Sequence, residues 1–283
     1  MEHIAIVTDS TSDLSPAAAG QQGITLVPLF VTHQEKAYRD GVDITPEAFY
    51  PLLASSTELP KTSQPSPEQF RDVYRGLLEK AKEVISLHIS EGLSSTVAAA
   101  RAAAEEVAKD RIHVVDSGFL SYGLAFQAVE AARLALEGKT AHAILDRVAK
   151  LKQRTEMLFT LDTMHYLYKG GRIGKVSSLM GSILGIKPVI RVENGVYVPA
   201  GKSRSIKMAL SSIVEHLGKV YGRQKVVVAV GHGQGASYAA MLQEMVKSAL
   251  NVSGKILAFE VGPVIGVHTG PGTVGLAVRP LDY

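Results

Sequence analysis

Two hydroxyl-bearing stretches and one histidine carry the chemical interest of this chain. Thr62-Ser63-Gln64-Pro65 and Glu91-Gly92-Leu93-Ser94-Ser95-Thr96 each set hydroxyls just before, or at, the start of a helical pattern. A helix N-terminus attracts anions through its free N–H groups and its dipole. Ser94 or Ser95 acting as a plain N-cap explains the second stretch without a ligand. Thr62 is harder to absorb in this way, because Ser66 already serves as a cap downstream. His268 lies in Gly262–Gly272, read as a loop too rich in glycine and apolar residues to be an ordinary surface turn.

Other motifs exclude more than they offer. Gly170-Gly171-Arg172-Ile173-Gly174-Lys175, Gly231-His232-Gly233-Gln234-Gly235 and Gly270-Pro271-Gly272-Thr273-Val274-Gly275 contain no correctly spaced Gly-Lys-Ser/Thr ending and no dinucleotide fingerprint between strand and helix. No serine stands in a nucleophile elbow. The nine histidines form no H-E-x-x-H pair, and the absence of cysteine removes thiolate chemistry and cysteine-based metal sites. No metal ligand set and no catalytic residue is assigned. Thr8-Asp9-Ser10-Thr11-Ser12-Asp13 follows the first strand, where open α/β sheets place ligands, but Asp13 or Ser15 could equally cap the helix that Pro16 begins.

The elements that must position these residues follow from apolar periodicity. Ile4–Thr8, Ile24–Val31, Val84–Ile89 and Ile112–Val115 read as buried strands with helices between them, the pattern of a parallel sheet. The helix after Pro65 has Ser66 as cap, Pro67 in its first turn and Gln69 placed for a capping box, with Phe70, Val73, Leu77 and Leu78 facing the core. Helices are also expected from Ser94-Ser95-Thr96 to about Lys109, from Ser117 to about Gly138, and from Thr140 to Gln153. Beyond these, Met157–Leu161 is strand-like, Pro188–Val192 and Val196–Ala200 form a hairpin around Asn194-Gly195, and Ile206–Val220 is helical. Strands Lys225–Val230 and Lys255–Val261 flank a helix from Ala236 to Leu250, and Val274–Val278 is a last strand. The expectation is an α/β protein with an N-terminal parallel-sheet domain, 1–155, and a C-terminal α+β domain, 156–283.

With 283 residues, 46% hydrophobic and 20% charged, the chain has the composition of a globular protein with room for two cores. Neither a signal-peptide pattern at the start nor an apolar run of spanning length is visible, so a cytoplasmic location without stable membrane insertion is expected. The net charge of +3 is too small for a nucleic-acid reading, and the chain has no tryptophan. Between Thr163 and Leu210, however, Lys169, Arg172, Lys175, Lys187, Arg191, Lys202, Arg204 and Lys207 face a single acidic residue, Glu193. That bias predicts a positive face that attracts an acidic partner or a phosphate.

Taken in order, Val7-Thr8-Asp9-Ser10-Thr11, Lys61-Thr62-Ser63-Gln64-Pro65, Leu93-Ser94-Ser95-Thr96, Val115-Asp116-Ser117, Lys169-Gly170-Gly171-Arg172-Ile173 and His268-Thr269-Gly270-Pro271-Gly272 resemble the DegV family of bacterial fatty-acid-binding proteins. The likeness spans nearly the whole chain. It implies a Rossmann-like N-terminal domain, a C-terminal α+β domain and one long-chain fatty acid in a tunnel between them, with no cofactor besides that ligand. It also implies a non-enzymatic role as the lipid-carrying partner of a separate fatty acid kinase subunit. That kinase phosphorylates the bound carboxylate from ATP and feeds acyl phosphate to phospholipid synthesis.

By this likeness Thr62, Ser94 and His268 bind the carboxylate, while Arg172 and Arg204 belong to the kinase-facing surface. Ser95 stands where family members commonly carry glycine and joins the carboxylate candidates. Met180, Ile183, Leu184 and Ile265 are candidates for the acyl-chain wall. On the residues alone a second reading stays open: an enzyme acting on a phosphorylated small molecule in an interdomain cleft, using Asp9, Ser10 and the glycine-rich loops.

Overall fold

The run Ile4-Ala5-Ile6-Val7 has no polar face, and in the computed structural model it forms a strand buried on both sides. The structure describes residues 4–180 and 185–282. In chain order the first part runs β1 (Ile4–Asp9), α1 (Pro16–Gln21), β2 (Ile24–Val27), β3 (Phe30–His33), β4 (Lys36–Arg39), α2 (Pro46–Ser55), β5 (Lys61–Ser63), α3 (Pro67–Leu78), β6 (Glu83–His88), α4 (Thr96–Ala108), β7 (Ile112–Asp116), α5 (Ser121–Leu136) and α6 (Ala141–Arg154). The rest runs β8 (Glu156–Thr160), α7 (His165–Lys169), β9 (Lys187–Glu193), β10 (Val196–Ser203), α8 (Ile206–Tyr221), β11 (Lys225–Gly233), α9 (Ala236–Ala249), β12 (Asn251–Val252), β13 (Leu257–Glu260), α10 (Pro263–Thr269) and β14 (Thr273–Pro280).

Packing divides the chain into two compact units, 1–43 with 62–153, and 44–61 with 154–283. The excursion 44–61 lies inside the stretch that a linear pass takes as one domain. It joins the second unit because α2 brings Phe49 and Tyr50 against Gly266 of α10, and the Tyr50 hydroxyl donates to the Val261 carbonyl at 3.1 Å.

The first unit holds a four-stranded parallel sheet in the order β2-β1-β6-β7. Alternation along β1 assigns its two faces: Ile4 and Ile6 pack with residues of α5 and α6, and Ala5 and Val7 with residues of α3 and α4. A small sheet in the order β4-β3-β5 carries Thr62. The second unit is built on a mixed sheet in the order β10-β9-β8-β14-β11-β12, with β13 also on β11. Antiparallel pairs run from β10 to β11, and β12 and β13 pair with β11 in parallel. Ile213 and Leu217 of α8 and Leu242 and Val246 of α9 bury themselves against Leu158, Val228 and Leu276 of that sheet. The chain is thus mixed α/β, with a parallel sheet and a separate mixed one.

Three expectations are corrected. The strand read from Ile24 to Val31 breaks, β2 ending at Val27 and β3 starting at Phe30 in the other small sheet; Pro28, between them, has no N–H for a ladder. The helix read from Ser117 starts at Ser121. Ser117 spends its hydroxyl on a turn, accepting from Phe119 N at 3.1 Å. The stretch read as a glycine-rich loop at 262–272 contains helix α10, whose first residue is Pro263.

Candidate functional site

In the first unit the hydroxyls collect where β6 leaves the sheet. Ser90 N donates to Phe119 O at 2.8 Å, and Ser90 in turn accepts from Leu93 N and Ser94 N at 3.0 Å each, so the turn before α4 is closed on Ser90. Ser94, half-buried, spends its Oγ locally, lying 2.9 Å from Thr96 Oγ1 and accepting from Thr96 N at 3.3 Å. Ser95 is exposed, and its side chain makes no cap hydrogen bond. Ser95 thus holds the N-cap position without a cap bond, and Ser94 closes a serine turn onto Thr96 N just ahead of the helix. Thr62 is half-buried on β5 between exposed Lys61 and Ser63.

Within the Thr8–Asp13 stretch, Asp9 is closed to a ligand. Asp9 is fully buried, and its carboxylate meets Thr11 N at 3.0 Å, Thr11 Oγ1 at 2.5 Å, His88 Nδ1 at 3.0 Å and Ile89 N at 2.9 Å. Both oxygens are occupied, so Asp9, one of the groups on which the phosphorylated-substrate reading leaned beside Ser10 and the glycine-rich loops, is committed to the fold. Ser15, not Asp13, caps α1, and Asp13 accepts instead from Ser121 Oγ at 2.5 Å. Among the described residues no group of three or more His, Cys, Asp or Glu could hold a metal ion.

In the second unit His268 sits on α10, beside the end of α7. Arg172 N donates to Leu167 O at 3.0 Å and Gly171 N to Tyr168 O at 3.1 Å, with Gly171 at φ 69°, a Schellman closure of α7. Gly170 serves another purpose: a β-carbon there would stand 2.2 Å from His268 Nδ1 and 2.9 Å from Tyr166 O. The Arg172 guanidinium donates to Gly170 O at 3.0 Å. Burial, and then the positive charge of Arg172, push the imidazole down to about 4. His268 is consequently neutral at physiological pH and offers one N–H donor. Ile265 of the same helix is buried, whereas Met180 is 43% exposed. Ile183 and Leu184 lie outside the described residues.

The basic face is smaller than the sequence suggested. Arg191 makes a two-pronged pair with Glu156 at 2.7 and 2.8 Å, and Lys187 pairs with Asp162 at 2.5 Å. Lys169, Lys175, Lys202, Arg204 and Lys207 are exposed, and Arg172 is half-buried. Arg204 stands in the bend before α8, next to Ser205, whose Oγ caps that helix by accepting from Met208 N at 3.3 Å. Among the described residues no helix is long and apolar enough to cross a membrane.

Comparison with known proteins makes the class of this two-unit α/β chain specific. The family model described as "Uncharacterised protein, DegV family" matches residues 3–281. A DegV domain-containing protein of Deinococcus radiodurans is 38% identical over 285 residues, covering 99% of each chain. The chain belongs to the DegV family. A DegV-family protein from Thermus thermophilus described as fatty acid binding superposes with a TM-score of 0.94 at 36% identity, over 99% of this chain and all of that one. A stearic-acid-binding protein from Eubacterium ventriosum gives 0.86 at 29% identity, over 99% of this chain and 98% of that one.

Proposed function

We propose that this protein binds one long-chain fatty acid and presents its carboxylate to a separate ATP-dependent kinase, which forms the acyl phosphate used in phospholipid synthesis. The observation that carries the fatty-acid part is the full-length likeness to solved relatives described as binding fatty acids. In this reading Thr62, Ser94, Ser95 and His268 take the carboxylate. A carboxylate leaving water needs several donors, and three hydroxyls with a neutral imidazole supply them. Ile265, Met180, Ile183 and Leu184 contribute to the acyl wall, where each buried methylene adds roughly 0.8 kcal/mol. The protein acts as a carrier and the kinase does the chemistry, docking on the face that includes Arg172 and Arg204.

Native mass spectrometry of freshly purified protein is expected to show one added lipid mass, identified after extraction by chain analysis. Delipidated protein that takes up no fatty acid would overturn the reading. The kinase part is tested separately, by ATP-dependent acyl phosphate formation when a fatty acid kinase catalytic subunit is added to the loaded protein.

A further inference from the structure

The buried carboxylate of Asp9 heads a chain of polar groups that the proposed function does not use. His88 Nδ1 lies 3.0 Å from Asp9 Oδ2, His88 Nε2 lies 2.7 Å from Ser86 Oγ, and Tyr74 Oη donates to Ser86 Oγ at 2.9 Å. All four side chains are fully buried. The connectivity Asp–His–Ser is that of a hydrolytic triad, but Ser86 is covered by Tyr74 and closed to any substrate, so no nucleophilic role follows.

Counting protons fixes the direction of the chain. Both Asp9 oxygens act as acceptors, Oδ1 from Thr11 and Oδ2 from Ile89 N, so the hydrogen of the His88 contact sits on Nδ1. Ser86 already accepts from Tyr74, and its own proton finds an acceptor only in His88 Nε2. The neutral Nδ1–H form of His88 is the assignment that pairs every proton from Tyr74 to Asp9. The same Asp9 oxygen accepts from Ile89 N at 2.9 Å, one residue before the turn closed on Ser90 that carries Ser94 and Ser95.

We propose that Asp9 is a positioning residue for the 90–95 turn, holding it through Ile89 N–H while the neutral Nδ1–H form of His88 locks the carboxylate in place. The consequence for ligand affinity rests on the fatty-acid reading; the positioning itself does not. Asp9→Asn keeps the shape, but the amide cannot accept from His88 Nδ1–H without giving up Ile89 or Thr11. With the amide oxygen kept on the Thr11 side, its N–H faces Ile89 N–H and the chain has to reverse, leaving the Tyr74 proton without its acceptor.

Nitrogen-detected NMR of the wild-type imidazole is expected to show His88 Nδ1 protonated and Nε2 bare, and the opposite pattern would overturn the assignment. In ligand-free protein, Asp9→Asn is expected to speed amide exchange at Ile89 and across 90–95 more than in α5 or α6; uniform change, or none, would overturn the positioning role. Titration with oleate is expected to give an affinity weakened by about tenfold or more in Asp9→Asn, the scale of one charge-assisted hydrogen bond. Ser86→Ala, at the far end of the chain, is expected to lower Tm while keeping oleate affinity within about twofold. Equal affinity losses in the two variants would reduce Asp9 to a general stabilising group. If wild-type protein binds no oleate, the function reading fails while the exchange and imidazole measurements still decide the positioning claim. If Asp9→Asn does not fold, the wild-type imidazole pattern carries the test.

Discussion

Gly170 leaves the space that the His268 imidazole fills, for a β-carbon on Gly170 would approach Nδ1 to 2.2 Å. The end of α7 and the face of α10 are thereby matched at one atom. Gly170→Ala is expected to displace the His268 ring and to weaken fatty-acid binding about tenfold or more. Far-ultraviolet circular dichroism should stay unchanged, because the Schellman closure depends on Gly171. Isothermal titration with oleate checks the affinity.

The depressed titration of His268 has a sign that can be tested. The folded imidazole stays neutral down to about 4, whereas the unfolded one takes up a proton near 6.5. Between those values the unfolded state binds more protons, so the stability contributed by neutral His268 is present above pH 6.5 and is lost as pH falls towards 4. The loss amounts to about 3 kcal/mol at the acid end. Urea unfolding at pH 7 and pH 4.5 is expected to show a steeper decline for wild type than for His268→Gln. A bound carboxylate would move the titration upward, which proton NMR of the His268 ring can follow with and without oleate.

Arg172 and Arg204 are not equivalent probes of a partner surface. Arg172 depresses the His268 imidazole and holds Gly170 O, so Arg172→Glu is expected to raise the His268 pKa and to disturb lipid binding along with any docking. Arg204→Glu should leave His268 titration and oleate affinity unchanged and lower only kinase-dependent acyl phosphate formation. Comparing the two variants in the same coupled assay separates docking from ligand binding.

Tyr221 pins the second unit where β8 enters the middle of its sheet beside β14. Its hydroxyl lies 2.8 Å from the carbonyl oxygens of Arg154 and Val278 and accepts from Glu156 N at 3.1 Å. Tyr221→Phe removes these bonds, those to Glu156 N and Val278 O being buried, and is expected to cost about 1–3 kcal/mol by chemical denaturation. Fatty-acid stoichiometry should remain that of wild type.

What the sequence made legible is what local chemistry decides. Ser66 and Gln69 form the expected reciprocal capping box, with Gln69 N donating to Ser66 Oγ at 3.2 Å and Ser66 N to Gln69 Oε1 at 2.9 Å. Asn194 and Gly195 both adopt positive φ, as a two-residue hairpin turn requires, and join β9 to β10. Illegible features depend on partners far along the chain. Arg191 is neutralised by Glu156, which lies outside the basic stretch 163–210. Asp9 meets His88 across 79 positions, so no spacing rule reveals their pairing. Helix α10 is hidden by the glycines that flank it and by Gly266 within it, which makes room for Phe49 of a segment that a linear reading assigns elsewhere.

That segment, 44–61, changes what a fragment of this protein would be. The polypeptide passes between the two units at 43/44, 61/62 and 153/154, so no single cut frees an intact second unit. A polypeptide beginning at 154 would lack Tyr50, whose ring stands where a β-carbon on Gly233 would go, and the Phe49 ring that packs on Gly266. Dissecting the molecule calls for 44–61 to be grafted or supplied in trans; simple truncation would yield a half with a hole under α10.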